Sequence, residues 1–538
     1  MLNDPAITKA ISSIRDRADR QTDQRKLVGA FVDIGLLSQM NNPNNQIIFG
    51  RRGTGKTHIL RVLQSHLDSD SPVVYIDART LGSNCQFTDP SAPLTDRCTA
   101  LFRDILSEIY NGVFAYIVQQ APPGSDAALP LLEQFGTLSL EPTQRVSEAH
   151  VESRSLVKSS EETKASLDFS TKKGAGASFG LTDEKSGEQE QKTNFSLRLE
   201  DKIVFPAVYQ ALRSVTDKLE CTLYVLIDEW SSLPIEVQPY LAEFLKKTFL
   251  PNPSVAVKIA SLEHRSKFNL VRGGDIIGFE LGSDLASSVN IDDYYVYDRD
   301  PAGLLTTFSN VLVKHLQSEL TPGYLKTRYN VRLDADLYPS LFGSKSAIED
   351  LVRASEGIVR DLIHVFTSSY FAAQNKNHTQ IEKQSVQKAA RAWFQKDKAQ
   401  NMDEPTSAFL DRLCVNVIGK HSSRVFLVSS AHETNAFLER LLDLRILHLL
   451  RRGYAEPQRP GIRYSVFTLD YGTYAEMADS VRRPSGFMKK QKRLGDNVVV
   501  PFEDDDRYVS KVIVGESFFR QYSDASDPGE QLASTAGE

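Results

Sequence analysis

Apolar residues fall along the chain in two rhythms. One is the short, nearly continuous run: Gln46-Ile47-Ile48-Phe49, Pro72-Val73-Val74-Tyr75-Ile76-Asp77, Leu223-Tyr224-Val225-Leu226-Ile227 and Val255-Ala256-Val257-Lys258-Ile259-Ala260. Runs of this length without polar alternation predict strands buried on both faces. The other rhythm is helical. Leu27, Val28, Phe31, Ile34, Leu37 and Met40 recur at helical spacing over residues 26–40, and 57–67, 95–119 and 205–219 read the same way. Strands alternating with helices predict an α/β fold, a parallel sheet covered on both sides.

Past residue 301 the helical rhythm dominates to about 397. The texture then changes. Residues 409–418 and 433–444 predict helices, followed by a strand pair, Leu447-His448-Leu449-Leu450 and Arg463-Tyr464-Ser465-Val466-Phe467. Gly453, Pro457, Pro460 and Gly461 lie between them and suit a loop. Helices followed by a hairpin is the order of a winged helix. The domains expected are therefore a core over 1–300, a helical lid over 301–400, a winged helix over 401–484 and a tail over 485–538, basic and then acidic at Asp504-Asp505-Asp506. Residues 121–201 break the core pattern. They are rich in Ser, Glu, Lys, Thr and Gly, and read as an insertion without its own core. Within it 165–169 and 194–199 alternate, which suits the two arms of a projecting hairpin.

Composition narrows the class. In 538 residues, 41% hydrophobic and 25% charged positions describe a soluble globular chain long enough for two or three domains. A net charge of −6 removes any bulk attraction to nucleic acid, so such binding requires a local basic patch. Cys85, Cys98, Cys221 and Cys414 are scattered and form no C-x-x-C pair, which argues against a disulfide framework or zinc site and points to a reducing cytoplasm. No charged start followed by an apolar run marks a signal peptide. No stretch approaches the roughly 18 apolar residues of a membrane span.

The chemistry sits at the strand ends. Gly50-Arg51-Arg52-Gly53-Thr54-Gly55-Lys56-Thr57 satisfies G-x-x-x-x-G-K-[ST] between a strand and a helix. Glycines let the backbone aim successive N–H groups at phosphate oxygens, and the helix start adds its positive end. Lys56 reaches the β- and γ-phosphates, and the Thr57 hydroxyl serves Mg²⁺. The run ending in Asp228-Glu229 supplies the complement: Asp228 for the metal and Glu229 as general base toward the attacking water. The structural alternative for Glu229 is a cap on the following helix.

At the end of the next strand Ser261 is the candidate for sensing the γ-phosphate or orienting water. Arg265 and Arg272 compete as an arginine acting in cis or on a neighbouring subunit's nucleotide. Gly357 is placed to end one helix, which puts Arg360 in the first turn of the next, where it can fold back onto the phosphates from the lid. Asp77 and Arg79 read as structural. The histidines form no metal-binding pattern.

Taken together, the motifs at 50–57 and 223–229, the polar strand end at Ser261 and Gly357-x-x-Arg360-Asp361 resemble an AAA+ ATPase. The trailing winged helix and Tyr75-Ile76-Asp77-Ala78-Arg79 narrow the resemblance to bacterial members of the origin-recognition-complex-like ATPases. The resemblance implies a Rossmann-like ATPase core, helical lid and winged helix, ATP and Mg²⁺ as cofactors, Arg360 as second sensor, and an oligomer of like subunits. It also implies an ATP-controlled switch acting on duplex DNA through the winged helix or on a partner effector protein. The insertion and the tail depart from the family pattern and point to an accessory or phage-defence ATPase rather than a chromosomal initiator. Arg451, Arg452, Arg459 and Arg463 are the candidate DNA contacts. Two other readings remain: a signalling ATPase that assembles without DNA, and a P-loop kinase.

Overall fold

A computed structural model describes residues 1–67, 70–82, 91–140, 143–152, 194–285, 287–295, 301–331, 336–421, 423–456, 459, 461–475 and 512–519. Its core is a five-stranded sheet. β1 (Gln46–Phe49), β2 (Val73–Asp77), a hairpin of β3 (Thr143–Glu152) and β4 (Asn194–Lys202), β5 (Leu223–Asp228), β6 (Val255–Ser261), a second hairpin of β7 (Asn269–Arg272) and β8 (Asp275–Gly278), and β9 (Ser287–Asn290) follow in chain order. The sheet order is β2-β5-β6-β1-β9, and every neighbouring pair is parallel. β6 thus separates β1, which leads into the phosphate loop, from β5, which ends in the two carboxylates.

Parallel strands need crossovers, and helices supply them on both faces. One face of the sheet turns Ile48, Leu226 and Ala260 toward a core that runs on into the lid and C-terminal sheet. The other turns Ile47, Val225 and Ile259 toward the long helix Leu94–Gln120 and its neighbours. Alternate residues of one strand serve opposite cores, which is why these strands read as unbroken apolar runs. The helix after the phosphate loop, Lys56–Leu67, buries Ile59, Leu60, Val62 and Leu63. At about 1.5–3 kcal/mol for each such side chain fully buried, this anchors the helix and holds the loop on a rigid support.

The expected α/β core with a helical region after it is present. Five details differ. Residues 26–40 form two short helices, Gln24–Ala30 and Leu36–Met40, because Gly35 takes φ +89° between them. The expected insertion begins too early: Ser125–Leu140 is a helix whose Leu132 and Phe135 are buried in the core. The arm 194–199 lies in β4, paired with β3 rather than with 165–169, which lie outside the described residues. β9 and the β7–β8 hairpin were not read from sequence. Among the described residues no helix is long and apolar enough to cross a membrane.

Among the described residues, six α-helices between Pro301 and Trp393 follow the sheet, then one turn of π-helix at Phe394–Lys398. Helices Glu404–Cys414 and Ala436–Asp443 precede β11 (Leu447–Ala455) and β12 (Arg463–Leu469), with β10 (Val425–Ser429) between the helices. β11 and β12 form the expected antiparallel hairpin. β10 pairs antiparallel with β12, and β13 (Ile513–Val514) adds to β10 in parallel, so part of the tail belongs to this sheet. Val512, Val514 and Phe519 are buried there.

Candidate functional site

Three elements meet at one cavity of about 310 Å³: the loop 50–57, the end of β5 and the start of the helix Val359–Asn375. Arg52, Lys56, Thr57, Glu229 and Arg360 are among its lining residues. The loop needs its glycines for geometric reasons. Gly53 has φ +84°, and a Cβ there would lie 2.8 Å from the Cβ of Arg360. The helix Val359–Asn375 is therefore laid directly on the loop, and the Arg360 N–H donates to the Gly53 carbonyl at 3.1 Å. Gly357 has φ +78°, with no room for a side chain against the Tyr295 carbonyl, so the chain turns there into that helix.

Lys56 is half-buried in the loop and donates to the carbonyls of Gly50 and Arg51 at 2.7 and 2.9 Å. Burial lowers its pKa against the fields of Asp292, Asp228 and Glu229. Thr54 is buried and closes the loop by donating to the Arg51 carbonyl at 2.9 Å. Arg52 and Arg360 are depressed by burial first and by other arginines next. Arg360 Nε is buried with no hydrogen-bond partner among the described residues. A buried cationic donor without an acceptor is costly unless an anion arrives.

Asp228 is buried at the end of β5. Its Oδ1 accepts the Glu229 N–H at 2.8 Å and its Oδ2 accepts the Tyr75 hydroxyl at 2.7 Å. Burial, then Asp228, pushes the Tyr75 phenol upward, so it stays a donor. Glu229 adopts φ +55°, a left-handed conformation rare outside glycine. It precedes a short 3₁₀ turn but makes no side-chain cap bond, so the capping alternative finds no support. Strain of this kind collects where a side chain must be aimed, and this carboxylate borders the cavity.

Other predicted residues lie elsewhere. Ser261 is buried, and its hydroxyl pairs with Ser266 rather than lining the cavity. Arg265, with His264, is paired to Asp443 of the C-terminal part of the same chain. Arg272 stands exposed on the β7–β8 hairpin. Asp77 caps the turn after β2 and pairs with Arg79, which borders the cavity. The Arg51 side chain turns away from the cavity. Asp292 accepts its N–H and its Nε, both at 2.9 Å, and the Glu356 carbonyl accepts Nη2 at 2.9 Å. Its Nη1 meets His448 Nδ1 at 2.6 Å.

Asp292, His448 and Tyr75 gave no motif in the sequence, and only distant pairing reveals them. His448 opens a buried polar chain. Its Nε2 meets Asp470 at 3.1 Å, and Lys398 lies 2.5 Å from Asp470 and 2.8 Å from Asp361. Arg445 holds Asp361 at 2.6 Å and also pairs with Asp397. The phosphate loop, the residue after Arg360, and the C-terminal sheet thus share one network.

Two buried histidines, His448 of that network and His315 beside His58 elsewhere in the fold, should make the chain acid-labile. Burial lowers His448 to about 4 and His315 to about 4. Folded pKa values below the unfolded 6.5 mean that the unfolded chain takes the proton first. Their stabilisation is complete above pH 6.5 and is lost as pH falls toward 4, at about 1.4 kcal/mol per pH unit for each histidine. Urea midpoints should fall between pH 7.5 and 5.5, and less steeply in the double variant His315→Gln/His448→Gln. An equal slope in that variant would assign the lability to other groups.

The family model described as ORC-CDC6-like matches residues 16–68, the segment that carries the phosphate loop. The resemblance to origin-recognition-complex-like ATPases holds there. Solved structures similar to the chain include Cdc6p from Pyrobaculum aerophilum, 12% identical with TM-score 0.32, covering 88% of this chain and 96% of that one. The Aeropyrum pernix ORC2 protein in ADPNP–ADP complexes is 12% identical with TM-score 0.33, covering 88% and 95%. The Thermotoga maritima RuvB Holliday junction branch migration motor is 10% identical with TM-score 0.31, covering 85% and 94%. No curated protein matches the chain.

Proposed function

We propose that this chain is an ATP-binding and ATP-hydrolysing AAA+ switch whose output passes through its C-terminal sheet to duplex DNA or to a partner protein. One observation carries the reading. Lys56, Glu229 and Arg360, from three separate elements, border one cavity, and Arg360 Nε is buried with no hydrogen-bond partner among the described residues. A triphosphate fits that chemistry: a glycine-rich loop at a helix start, with Arg52, Lys56, Arg360 and the Glu229 carboxylate in the lining. Thr57 and Asp228 are the residues that would hold Mg²⁺, an ion that takes few protein oxygens and completes its shell with phosphate oxygens and water. When bound, it supplies charge neutralisation for phosphoryl transfer.

The chain's own residues do the rest. Lys56 and the loop amides orient the phosphates. Glu229 takes the proton of the attacking water. Arg360 closes the lid on the γ-phosphate, and its neighbour Asp361 passes the change into the buried network that holds the C-terminal sheet. The order of helices and hairpin after Glu404 supports a winged-helix reading of that part. A homo-oligomer, a cytoplasmic location and a role in a phage-defence system remain proposals on the family resemblance.

The test is nucleotide binding and turnover. Wild type should bind ATP and release phosphate without any acceptor, which a kinase would not do. Lys56→Ala should weaken binding by about 10- to 150-fold, the worth of a charged hydrogen bond of about 1.5–3 kcal/mol. Intact binding and turnover in that variant would sink the site.

A second reading, output to a protein without DNA, is favoured by the hairpin arginines. Arg452 is already paired with Glu433 and Glu263, Arg451 lies over Tyr454, and Arg463 donates to the Gly453 carbonyl. Arginine-to-glutamate changes at 451, 452, 459 and 463, measured by salt-dependent binding to duplex DNA, separate the two. Unchanged affinity removes the DNA reading of the hairpin.

A further inference from the structure

Tyr75 entered the sequence reading only as part of the strand-end texture Tyr75-Ile76-Asp77-Ala78-Arg79, and the proposed mechanism gives it no task. Its place in the fold does. Asp77 of β2 lies in register with Asp228 of β5, so Tyr75 stands two residues back on the neighbouring strand. Its ring spans that offset, and its hydroxyl donates to Asp228 Oδ2 at 2.7 Å. The other oxygen, Oδ1, is held by the Glu229 N–H at 2.8 Å. Both oxygens of a carboxylate only 1% exposed are thus fixed by the protein. A carboxylate offers about four lone-pair sites, so each oxygen keeps capacity for a further partner.

The tyrosine is itself held. The Arg61 guanidinium lies 3.5 Å from its ring centroid, a cation–π contact. Arg61 is one helical turn beyond Thr57 on the helix that begins the phosphate loop's far side. Thr57 lies on the same helix as Arg61, which packs on β2 and β5, and the chain Arg61–Tyr75–Asp228 links that helix to the strand end carrying Asp228. Packing alone does not require a hydroxyl here, because the flanking Val74 and Ile76 face the opposite core and Tyr75 only partly enters its own.

We infer that Tyr75 is a positioning residue for the metal-holding carboxylate. Its hydroxyl sets the orientation of Asp228, and Arg61 ties that orientation to the helix carrying Thr57. The inference rests on the ATP–Mg²⁺ reading of the site. Residues that orient a metal ligand typically contribute 10–100-fold to metal affinity.

The test uses the full chain and a fluorescent N-methylanthraniloyl-ATP probe, with affinity measured across a MgCl₂ titration and in EDTA. In Tyr75→Phe, the half-saturating Mg²⁺ concentration should rise about tenfold or more, while affinity in EDTA matches wild type. Arg61→Leu keeps the hydroxyl and should shift it less than Tyr75→Phe does. A Tyr75→Phe shift under twofold overturns the inference, and so does a loss of equal size in EDTA, which would mean general loosening. An Arg61→Leu shift as large as that of Tyr75→Phe would do the same, because packing and not the hydroxyl would then carry the effect. If wild type shows no Mg²⁺-dependent binding, the reading of the site fails first, and the two failures are distinct.

Discussion

Glu229→Gln should bind ATP as tightly as wild type and turn it over about 10²–10⁴-fold more slowly, the usual worth of a positioned general base. The change keeps size and hydrogen bonding and removes only the ability to take a proton. Binding should persist because the phosphate contacts assigned above belong to Lys56, Arg360 and the loop amides, none of which Glu229 touches directly. The left-handed backbone at φ +55° belongs to the residue and not to its charge, so the glutamine inherits the same aim. Single-turnover phosphate release against probe affinity reads the two quantities separately. A variant that loses binding and turnover together would make Glu229 a structural residue. A variant with full turnover would move the base elsewhere, and Glu229 would need another account of its strain.

Lys398→Met should lower unfolding stability by about 3–5 kcal/mol, the usual loss when one partner of a buried ion pair is removed. Lys398 is buried, and two carboxylates face it at 2.8 and 2.5 Å. Burial alone disfavours its ammonium, but Asp361 and Asp470 outweigh burial and hold its pKa above the ordinary lysine value. Without it, Asp361 keeps Arg445, whereas within that network Asp470 keeps the neutral His448 ring as a hydrogen-bond partner. Two buried carboxylates then share too little positive charge. Trp393 stacks on His364 at 4.0 Å beside this network, and Trp230 lies deep in the core, so tryptophan fluorescence follows both regions during urea unfolding. A midpoint unchanged from wild type would show that water or rearrangement satisfies the pair, and that the network holds the C-terminal sheet less firmly than the geometry indicates. The same variant tests coupling. If the phosphate loop and C-terminal sheet communicate through this chain, nucleotide affinity should change with stability.

The sequence alone determined the local grammar of this protein. A glycine-rich octet between a buried strand and a helix is a local pattern, because the backbone geometry of a phosphate loop is specified by its own residues. Unbroken apolar runs marked β1, β2, β5 and β6 for the same reason, since burial on both faces leaves no polar alternation. Gly357 and Arg360 were legible because a turn needing positive φ and a helix start are set within a few residues.

Tertiary structure decided everything that depends on long-range pairing. Tyr75 and Asp228 are 153 positions apart, and Arg51 and His448 are 397 apart, so no periodicity links them. The short edge strand β9 and the tail strand β13 form because a neighbouring strand offers them a ladder, a reward that exists only after the sheet is built. The Arg51 side chain, counted with the phosphate loop from its motif, is taken by Asp292, Glu356 and His448 because folding places those acceptors beside it. A motif fixes what a residue is able to do, and the company brought by the fold decides which of those things it does.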